Sequence, residues 1–516
     1  MNNISNNKRI AQNSALLYIR MLLIMSVTLY TSRVILQTLG IEDYGIYGVV
    51  GGIVTMLGFV NASLSTAGTR FITFTLGKGD AKELELVFST VLLIHVVMMV
   101  LIVVLGETVG LWFVCHKLVI PPNRLTAALW VYHCSIFATA ISVISVPYNS
   151  LIIAYERMRA FAYISILEAI LKLVIVWLLV LIPVDKLIVY GVLSLVVQFI
   201  IRFIYTRYCK LNFVESKFRF SVNYSLVKQI SSYAGWTLNG SLAVMGYTQG
   251  INILLNLFFN PAVNAARAIA VQVQAAIMTF IQNFQMAIKP QMIKSYASKD
   301  LTYMHTLIVA SSKYGFYLML LIVLPLMLCI SPILKLWLGI VPEHTNSFVY
   351  IILVLSILNP LASSLIIAIH ATGKIRKFQI YEGTSLLMVV PIAYLLLKFF
   401  HITPEEVMLV YLYVEIFTFC IRIWIVLPQV SMSYIYYLKK VILPILFPFV
   451  CFLVPSFYCS APIEADIWEL LLWVILSIIY MFICIMIVGL NLSERSIAFS
   501  FIRKLRNNII GKWKFL

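Results

Sequence analysis

The chain has 516 residues, of which 62% are hydrophobic and 11% are charged, and its formal net charge is +18. From Ala11 to Leu490, about fourteen apolar stretches follow one another, and each is long enough to cross a hydrocarbon core about 30 Å thick. This pattern excludes the soluble classes of protein and leaves no room for a separate catalytic domain. The sequence therefore predicts an all-α, polytopic integral membrane protein.

The predicted membrane spans follow one another with short gaps that contain Gly and Pro. Their approximate bounds are 13–37, 44–66, 85–106, 126–154, 160–183, 185–206, 229–257, 261–288, 308–336, 347–371, 378–400, 404–427, 439–460 and 467–490. Counts of twelve and of fourteen spans both remain open at this stage.

Basic residues are concentrated in alternate gaps between the spans. One set of gaps includes the N-terminal Lys8 and Arg9, and it ends with the tail from Arg495 to Lys514. The other gaps hold only Lys117, Arg124, Lys186, Lys335 and Lys398. The positive-inside rule assigns the richer set to the cytoplasm, so both termini are expected there. The net charge thus indicates membrane topology, and no nucleic-acid partner is expected.

The longest basic gap lies near the middle of the first twelve spans and suggests a repeat. We predict an N-terminal six-helix lobe at 1–208, a cytoplasmic hinge at 209–228 and a C-terminal six-helix lobe at 229–427. Two additional spans at 428–490 and a basic amphipathic cytoplasmic tail at 491–516, which is expected to lie on anionic lipids, fall outside the repeat.

The first and seventh spans carry polar residues at the same spacing. Tyr30 and Arg33 align with Gln249 and Asn252, and each pair lies on one face of its helix. Arg33 therefore has polar companions suited to a cavity. Arg20, on a different face of the first span, either lines the cavity or extends to the headgroups.

The fifth span contains the clearest buried charge. Lys172 lies near its middle, too far from either end to reach the headgroups easily, and Glu168 precedes it by one helical turn. The two residues form either a structural pair or part of a transport pathway.

Two further spans carry charges in their interiors. Arg267 heads a polar stripe on the eighth span that continues with Gln274, although its side chain could also extend to the outer interface. Glu415, at the centre of the twelfth span, has Arg422 two turns later, and an ion-coupling site and a structural ion pair are both possible.

No motif indicates catalysis or a cofactor. The eight cysteines and seven histidines are scattered without paired spacing, which argues against a metal site or a disulfide framework. No phosphate-binding loop appears, so we expect no built-in ATPase, no cofactor and no catalytic residue.

Three segments resemble a known family. The opening "SALLYIRMLLIMSVTLYTSRVILQTLGIEDYGIYGVVGGIVTMLGFVNASLSTAGTRFIT", the later "ILKLWLG" and "IIAIHATGKIRKF" resemble the polysaccharide transporter family, the O-antigen type oligosaccharide flippases. That family belongs to the same superfamily as the multidrug and toxic compound extrusion transporters. The resemblance extends over nearly the whole chain, but its motifs are diffuse apolar patterns.

The resemblance implies a flippase of the bacterial inner membrane. Such a protein moves an undecaprenyl-pyrophosphate-linked oligosaccharide from the cytoplasmic to the periplasmic leaflet by alternating access, alongside a polysaccharide polymerase and chain-length machinery. It also implies substrate-binding cations in the first and eighth helices, where Arg33 and Arg267 stand. The residues agree with this expectation, since Arg33, Lys172 and Arg267 suit a pyrophosphate. An ion-coupled multidrug exporter is the first alternative, and a membrane polysaccharide polymerase or ligase is the second.

Overall fold

The computed structural model of the chain describes residues 3–55, 58–117, 120–219, 223–259, 261–492 and 494–496. Within these ranges the protein is helical and contains no β-strand. The helices are α1 Asn3–Thr55, α2 Gly58–Lys78, α3 Ala81–Leu105, α4 Leu111–Lys117, α5 Leu125–Ala154, α6 Met158–Leu181, α7 Lys186–Asn212, α8 Tyr224–Phe258, α9 Pro261–Ala297, α10 Leu301–Leu338, α11 Thr345–Thr372, α12 Arg376–Leu387, α13 Val389–Phe400, α14 Pro404–Gln429, α15 Tyr434–Tyr437, α16 Leu443–Tyr458 and α17 Ile467–Cys484.

Eleven helical segments in the described ranges are long and apolar enough to cross a membrane, and each coincides with a predicted span. The remaining predicted spans, 13–37, 44–66 and 229–257, also fall on helices, namely α1, the end of α1 with the start of α2, and α8. In α8 the polar residues Asn239, Gln249 and Asn252 interrupt the apolar sequence. The prediction of an all-α polytopic membrane protein is confirmed.

α1 contains a break at Gly40. This residue has φ 81° and ψ 171°, outside the helical region, so the long helix consists of two segments that meet there. Glycine tolerates a positive φ because it has no Cβ. The break separates the first predicted span from the second, as the turn-forming sequence that begins at Gly40 predicts.

The contacts within the chain define two compact units. Unit 1 comprises Met1–Met245, Asn283–Met304 and Ile367–Thr384, and unit 2 comprises Gly246–Gln282, His305–Ile366 and Ser385–Leu516. These units describe packing, and the predicted lobe boundaries at 208 and 229 stay a prediction.

In unit 1, α5 is the central helix. It packs against α2, α3, α6 and α7, while α1 packs along α6. Val131, Tyr132 and Ile136 of α5 are fully buried. A three-way ion cluster joins α1 to the starts of α5 and α7, because Arg124 contacts Asp43 of α1 at 2.5 Å and Asp185 at 2.6 Å. The hydrogen bond from Arg124 holds the pKa of the Asp185 carboxyl below its ordinary value.

In unit 2, the two additional spans pack on α10. The Tyr317 hydroxyl donates to the carbonyl oxygens of Gly489, at 2.7 Å, and of Pro444. Lys313 pairs with Glu494 at 2.6 Å just after the last span. Burial opposes ionisation of Glu494, but the charge of Lys313 and the hydrogen bonds from Lys313, Tyr314 and the Asn491 backbone together outweigh it and leave the pKa of this carboxyl below its ordinary value. The rest of the predicted tail, from residue 497, lies outside the described residues.

Candidate functional site

Lys172 and Glu168 form an ion pair on α6. Their Nζ and Oε1 atoms are 2.7 Å apart, and the Gln198 amide of α7 lies 3.4 Å from the same carboxylate oxygen. The Lys172 side chain is 55% exposed and that of Glu168 is 28% exposed. The pair therefore retains access to a surface.

That surface is distinct from the apolar side of α6. Ile170, Val174 and Trp177 are exposed and lie on one face, as large apolar residues that meet lipid would. At about 100° per residue, Lys172 lies roughly 140–160° away from these residues. The lysine thus projects from the face of α6 that is otherwise packed against the protein, which is where a polar cavity would be lined.

Arg20 lies in the same unit and adds a second cation to this group of charges. The Arg20 guanidinium stacks 4.4 Å from the centre of the Phe161 ring of α6, and it is within electrostatic range of Glu168. The Arg20 side chain therefore turns inward, where its Nε is buried. This placement favours the cavity interpretation of Arg20 over extension to the headgroups.

Arg202 was not predicted. It lies one turn beyond Gln198 on α7, donates to the carbonyl oxygen of Ile144 at 2.9 Å and stacks over the Tyr148 ring at 4.3 Å. The sequence places it close to the end of the sixth span, where an arginine is ordinarily explained by snorkelling. Its spacing of four residues from Gln198 is the signal that could have identified it. Because these partners of Arg202 lie on α5, we call only Arg20, Glu168 and Lys172 the α6 cluster, and it contains two cations and one carboxylate.

Arg267 is buried in unit 2, with 5% of its surface exposed. Its guanidinium hydrogen-bonds the Asn252 side-chain oxygen and, at 3.1 Å, the Thr248 carbonyl oxygen. Both partners are neutral groups on α8, and the hydroxyls of Tyr247 and Tyr411, 3.0 Å apart, lie within its electrostatic range. The structure thus brings together Arg267 and Asn252, which the sequence predicted separately.

The polar stripe predicted on the eighth span faces inward. Gln274 is partly buried, on the same side of α9 as Arg267. The exposed residues of the helix lie about 60–180° around it from Arg267 and are small or polar, among them Gln272, Ala275 and Gln282. A face that met lipid would carry large apolar residues instead. α9 therefore has a polar exposed face in addition to the buried stripe.

The remaining predicted residues are placed as follows. Arg422 contacts Glu415 at 2.5 Å, and both side chains are largely buried, which agrees with a structural ion pair and provides α14 with internal charge balance. Tyr30 is half exposed. The side chain of Arg33 lies outside the part of the chain that the structure describes.

A second ion network, which the sequence does not predict, surrounds Glu156. Glu156, between α5 and α6, has a 1% exposed side chain that contacts Lys294 at 2.6 Å and Arg9 at 2.8 Å. Gln291 donates to the same carboxylate at 2.6 Å. We call this set the Glu156 network. Its members lie in or next to predicted loops, where charged residues are expected anyway, so no feature of the sequence distinguishes them.

Among the described residues no group of three or more His, Cys, Asp or Glu side chains could hold a metal ion. The described cysteines are free thiols, and Cys134, Cys209 and Cys329 are buried.

No protein-family profile matches the chain, and no curated protein matches it in sequence. Solved structures do share its fold. A MATE structure in the bent conformation has a TM-score of 0.70 at 14% identity and covers 83% of this chain and 96% of that chain. An outward-facing multidrug resistance MATE family transporter of the MOP superfamily has a TM-score of 0.66 at 15% identity with the same coverage.

A third structure is a MOP superfamily transporter from Pyrococcus furiosus, described as having a binding pocket of reverse polarity that suggests a different function. Its TM-score is 0.69 at 15% identity, with coverage of 83% of this chain and 96% of that chain. The chain therefore has the fold of the MATE transporters of the MOP superfamily, and at this identity the likeness concerns the fold.

Proposed function

We propose that the protein is a membrane transporter that moves an undecaprenyl-pyrophosphate-linked oligosaccharide from the cytoplasmic to the periplasmic leaflet of a bacterial inner membrane. Both termini face the cytoplasm in this proposal, and no covalent chemistry takes place. The transporter fold supports the general activity, and alternating access is the motion that it would use. The choice of substrate depends on the charge of the candidate site.

The excess of positive charge in the α6 cluster is the observation that carries the proposal. Among the described residues, Arg20 and Lys172 share one carboxylate, that of Glu168, so the cluster has one positive charge in excess. An isolated charge in the apolar interior is costly unless a counter-charge accompanies it. A pyrophosphate supplies two or more negative charges, and arginine binds its oxygens in a forked geometry.

Unit 2, considered by itself, also carries groups that suit an anionic, sugar-bearing ligand. Arg267 is bound by neutral oxygens, so its positive charge is available to an anion. The exposed face of α9, with Gln272 and Gln282, presents amides that can exchange hydrogen bonds with sugar hydroxyls.

A multidrug exporter is the alternative, because this fold is shared with a multidrug resistance transporter. A pocket for cationic drugs needs a carboxylate that is free to pair with the drug. Here Glu168 is paired with Lys172, and Glu415 is paired with Arg422. The Pyrococcus furiosus transporter, whose pocket is described as reversed in polarity, is a precedent for a change of function through pocket charge within this fold.

The test measures lipid-linked oligosaccharide in each leaflet of cells depleted of the protein and complemented with variants. Lys172→Ala and Arg267→Ala are expected to leave complete repeat units on the cytoplasmic side, with transport reduced by about tenfold or more, because each loss removes about 1.5–3 kcal/mol of charged hydrogen bonding to the ligand. Lys210→Ala, at the exposed end of α7, is the matched control and should transport normally.

Two outcomes contradict the proposal. If depletion leaves the lipid pools unchanged and alters drug sensitivity, the exporter becomes the better assignment. If Lys172→Ala and Arg267→Ala both transport at the wild-type rate, the cations do not bind the substrate.

A further inference from the structure

A second group of basic side chains, two cations and one imidazole, lies in unit 1, where α2 contacts α9 and the end of α11. Arg70 belongs to α2, Lys289 to α9 and His370 to α11. We call these residues the Arg70 cluster. It shares no member with the residues to which the proposed function assigns a role.

Arg70 is 7% exposed and has weak compensation for its charge. Its guanidinium lies 4.6 Å from the ring centres of both Phe71 and Phe74, and 5.7 Å from that of Tyr233. Its hydrogen bond to the Ala371 carbonyl oxygen is long, at 3.4 Å, and its buried Nε has no partner among the described residues. Aromatic faces and one carbonyl thus hold a cation that retains an unused donor.

Gly373 makes this arrangement possible. It follows α11 with φ 76°, and a Cβ at this position would collide with the Arg70 guanidinium. Glycine is therefore required here both by the left-handed backbone conformation and by the close approach of the Arg70 guanidinium. The guanidinium consequently lies against the carboxyl end of α11, whose partial negative charge contributes the remaining compensation.

His370 connects the other members of the cluster. Its Nδ1 is hydrogen-bonded to the Tyr233 hydroxyl, and its ring is within electrostatic range of both Arg70 and Lys289. Lys289 is partly buried and forms no ion pair with any carboxylate in the described ranges. The cluster thus gathers one guanidinium, one ammonium and one imidazole without a carboxylate counter-charge among the described residues.

An arrangement of this kind is unfavourable unless an anion completes it. A buried cation without a partner costs several kcal/mol, and such residues usually mark a ligand pathway in membrane proteins. We propose that the Arg70 cluster is a binding site for a phosphate-type oxyanion. Arginine contributes a forked donor, lysine a point charge and histidine a further ring N–H, which together suit a tetrahedral oxyanion.

The position of the site indicates which step it serves. Arg70 precedes the end of α2 at Lys78 by two turns, about 12 Å, and Lys289 precedes the end of α9 by a similar distance. These helix ends adjoin the basic gaps that the positive-inside rule assigns to the cytoplasm. The site would therefore receive the phosphate group of a ligand entering from the inner leaflet. That this ligand is a lipid-linked pyrophosphate rests on the proposed function.

The test uses the purified full-length protein and its melting temperature. Inorganic pyrophosphate is titrated against sodium chloride at equal ionic strength, because a ligand that binds the folded state raises the melting temperature in a saturable way. Wild type and Lys210→Gln should show the same rise. Lys289→Gln and Arg70→Gln should need at least tenfold more pyrophosphate to reach half of the maximal rise in melting temperature. Lys289→Gln removes an uncompensated charge and is therefore expected to fold normally.

Two results would overturn the site. One is a rise in melting temperature that sodium chloride produces equally well. The other is that Lys289→Gln needs the same pyrophosphate concentration as wild type for half of the maximal rise. If the effect disappears only in Lys172→Gln, the anion binds at the α6 cluster and the site is likewise refuted.

A second arm distinguishes the possible sources of the phosphate. Phosphatidylcholine nanodiscs with and without undecaprenyl pyrophosphate replace the detergent. A rise in melting temperature with the lipid that Lys289→Gln abolishes supports a lipid-borne ligand, whereas a rise with free pyrophosphate alone supports a soluble one.

Loss of anion binding in Lys289→Gln, together with no oligosaccharide translocation by wild type, would refute the proposed function and leave the site intact. Normal translocation by Lys289→Gln and Arg70→Gln, with no anion binding in wild type, would refute the site alone.

Discussion

The Glu156 network and the Arg70 cluster each include a lysine of α9, Lys294 and Lys289, which are five positions apart. The charge of the first lysine is compensated by a carboxylate, and that of the second is not, among the described residues. Lys294 meets the buried carboxylate of Glu156 at 2.6 Å, together with Arg9 and Gln291. Lys289 meets no carboxylate within the described residues. Two lysines of one helix therefore differ in the tertiary partner that each one finds.

This difference separates structural charges from charges that are available to a ligand. Breaking a buried ion pair is strongly destabilising because it leaves an uncompensated charge, whereas removing a cation that has no counter-ion should cost little. Stability measurements on matched variants can therefore test the comparison directly, before any substrate is known.

The largest effect is expected for Glu156→Gln. The amide keeps the shape of the side chain but removes the buried negative charge that Lys294 and Arg9 share, so stability should fall by about 3–5 kcal/mol. The apparent melting temperature of the purified protein measures this loss. Glu83→Gln is the control, because Glu83 pairs with Lys78 at an exposed position, where ion pairs contribute about 0–1 kcal/mol. Equal melting temperatures for the two variants would contradict the structural role of Glu156.

The second prediction compares Lys294→Met with Lys289→Met. Lys294→Met should destabilise by about 1–3 kcal/mol, since Glu156 loses one of its donors, while Lys289→Met should be neutral or stabilising. Thermal unfolding of both variants in the same detergent measures the two changes in stability. The comparison fails if Lys289→Met lowers the melting temperature as much as Lys294→Met.

The third prediction concerns Gly373. Gly373→Ala should cost more than Gly79→Ala, although both glycines have a positive φ, because only the Cβ at 373 would meet Arg70. The left-handed backbone alone costs roughly 1–2 kcal/mol, and Gly79→Ala isolates that contribution. The difference in melting temperature between the variants measures the contact. In the Arg70→Ala background this difference should disappear, and its persistence would argue against the close approach.

The smallest effect is expected at the Arg124 ion cluster and depends on pH. The pKa of Asp185 is lowered in the folded state, so its ionisation stabilises the fold above the unfolded pKa of about 3.9, and this contribution is lost as the pH falls through the folded value. Asp185→Asn should therefore lower the melting temperature at about pH 7 and have a diminishing effect towards about pH 3. A constant difference between variant and wild type across this range would contradict the assignment.

Much of the fold was predictable because it depends on local composition. Length and hydrophobicity defined the helices, since a segment of about twenty apolar residues has no other stable arrangement in a bilayer than a helix. The break at Gly40 also followed from turn-forming residues, and the Glu168–Lys172 pair followed from their spacing of four residues on one helix.

The candidate site was predictable only where partners lie on the same helix. The Asn252–Arg267 contact joins two helices, and the sequence indicated each residue without indicating the bond between them. Arg202 and Arg70 were overlooked because a cation near the end of a span is usually explained by snorkelling.

By itself, the sequence determined that the protein is a helical polytopic membrane protein and which charges lie within or near its spans. The tertiary structure alone decided which of those charges are compensated. Helical periodicity fixes the face on which a side chain lies, but the group that it meets belongs to another helix, often a hundred or more residues away. The contrast between Lys294 and Lys289 is therefore visible only once α9 is packed against its neighbours.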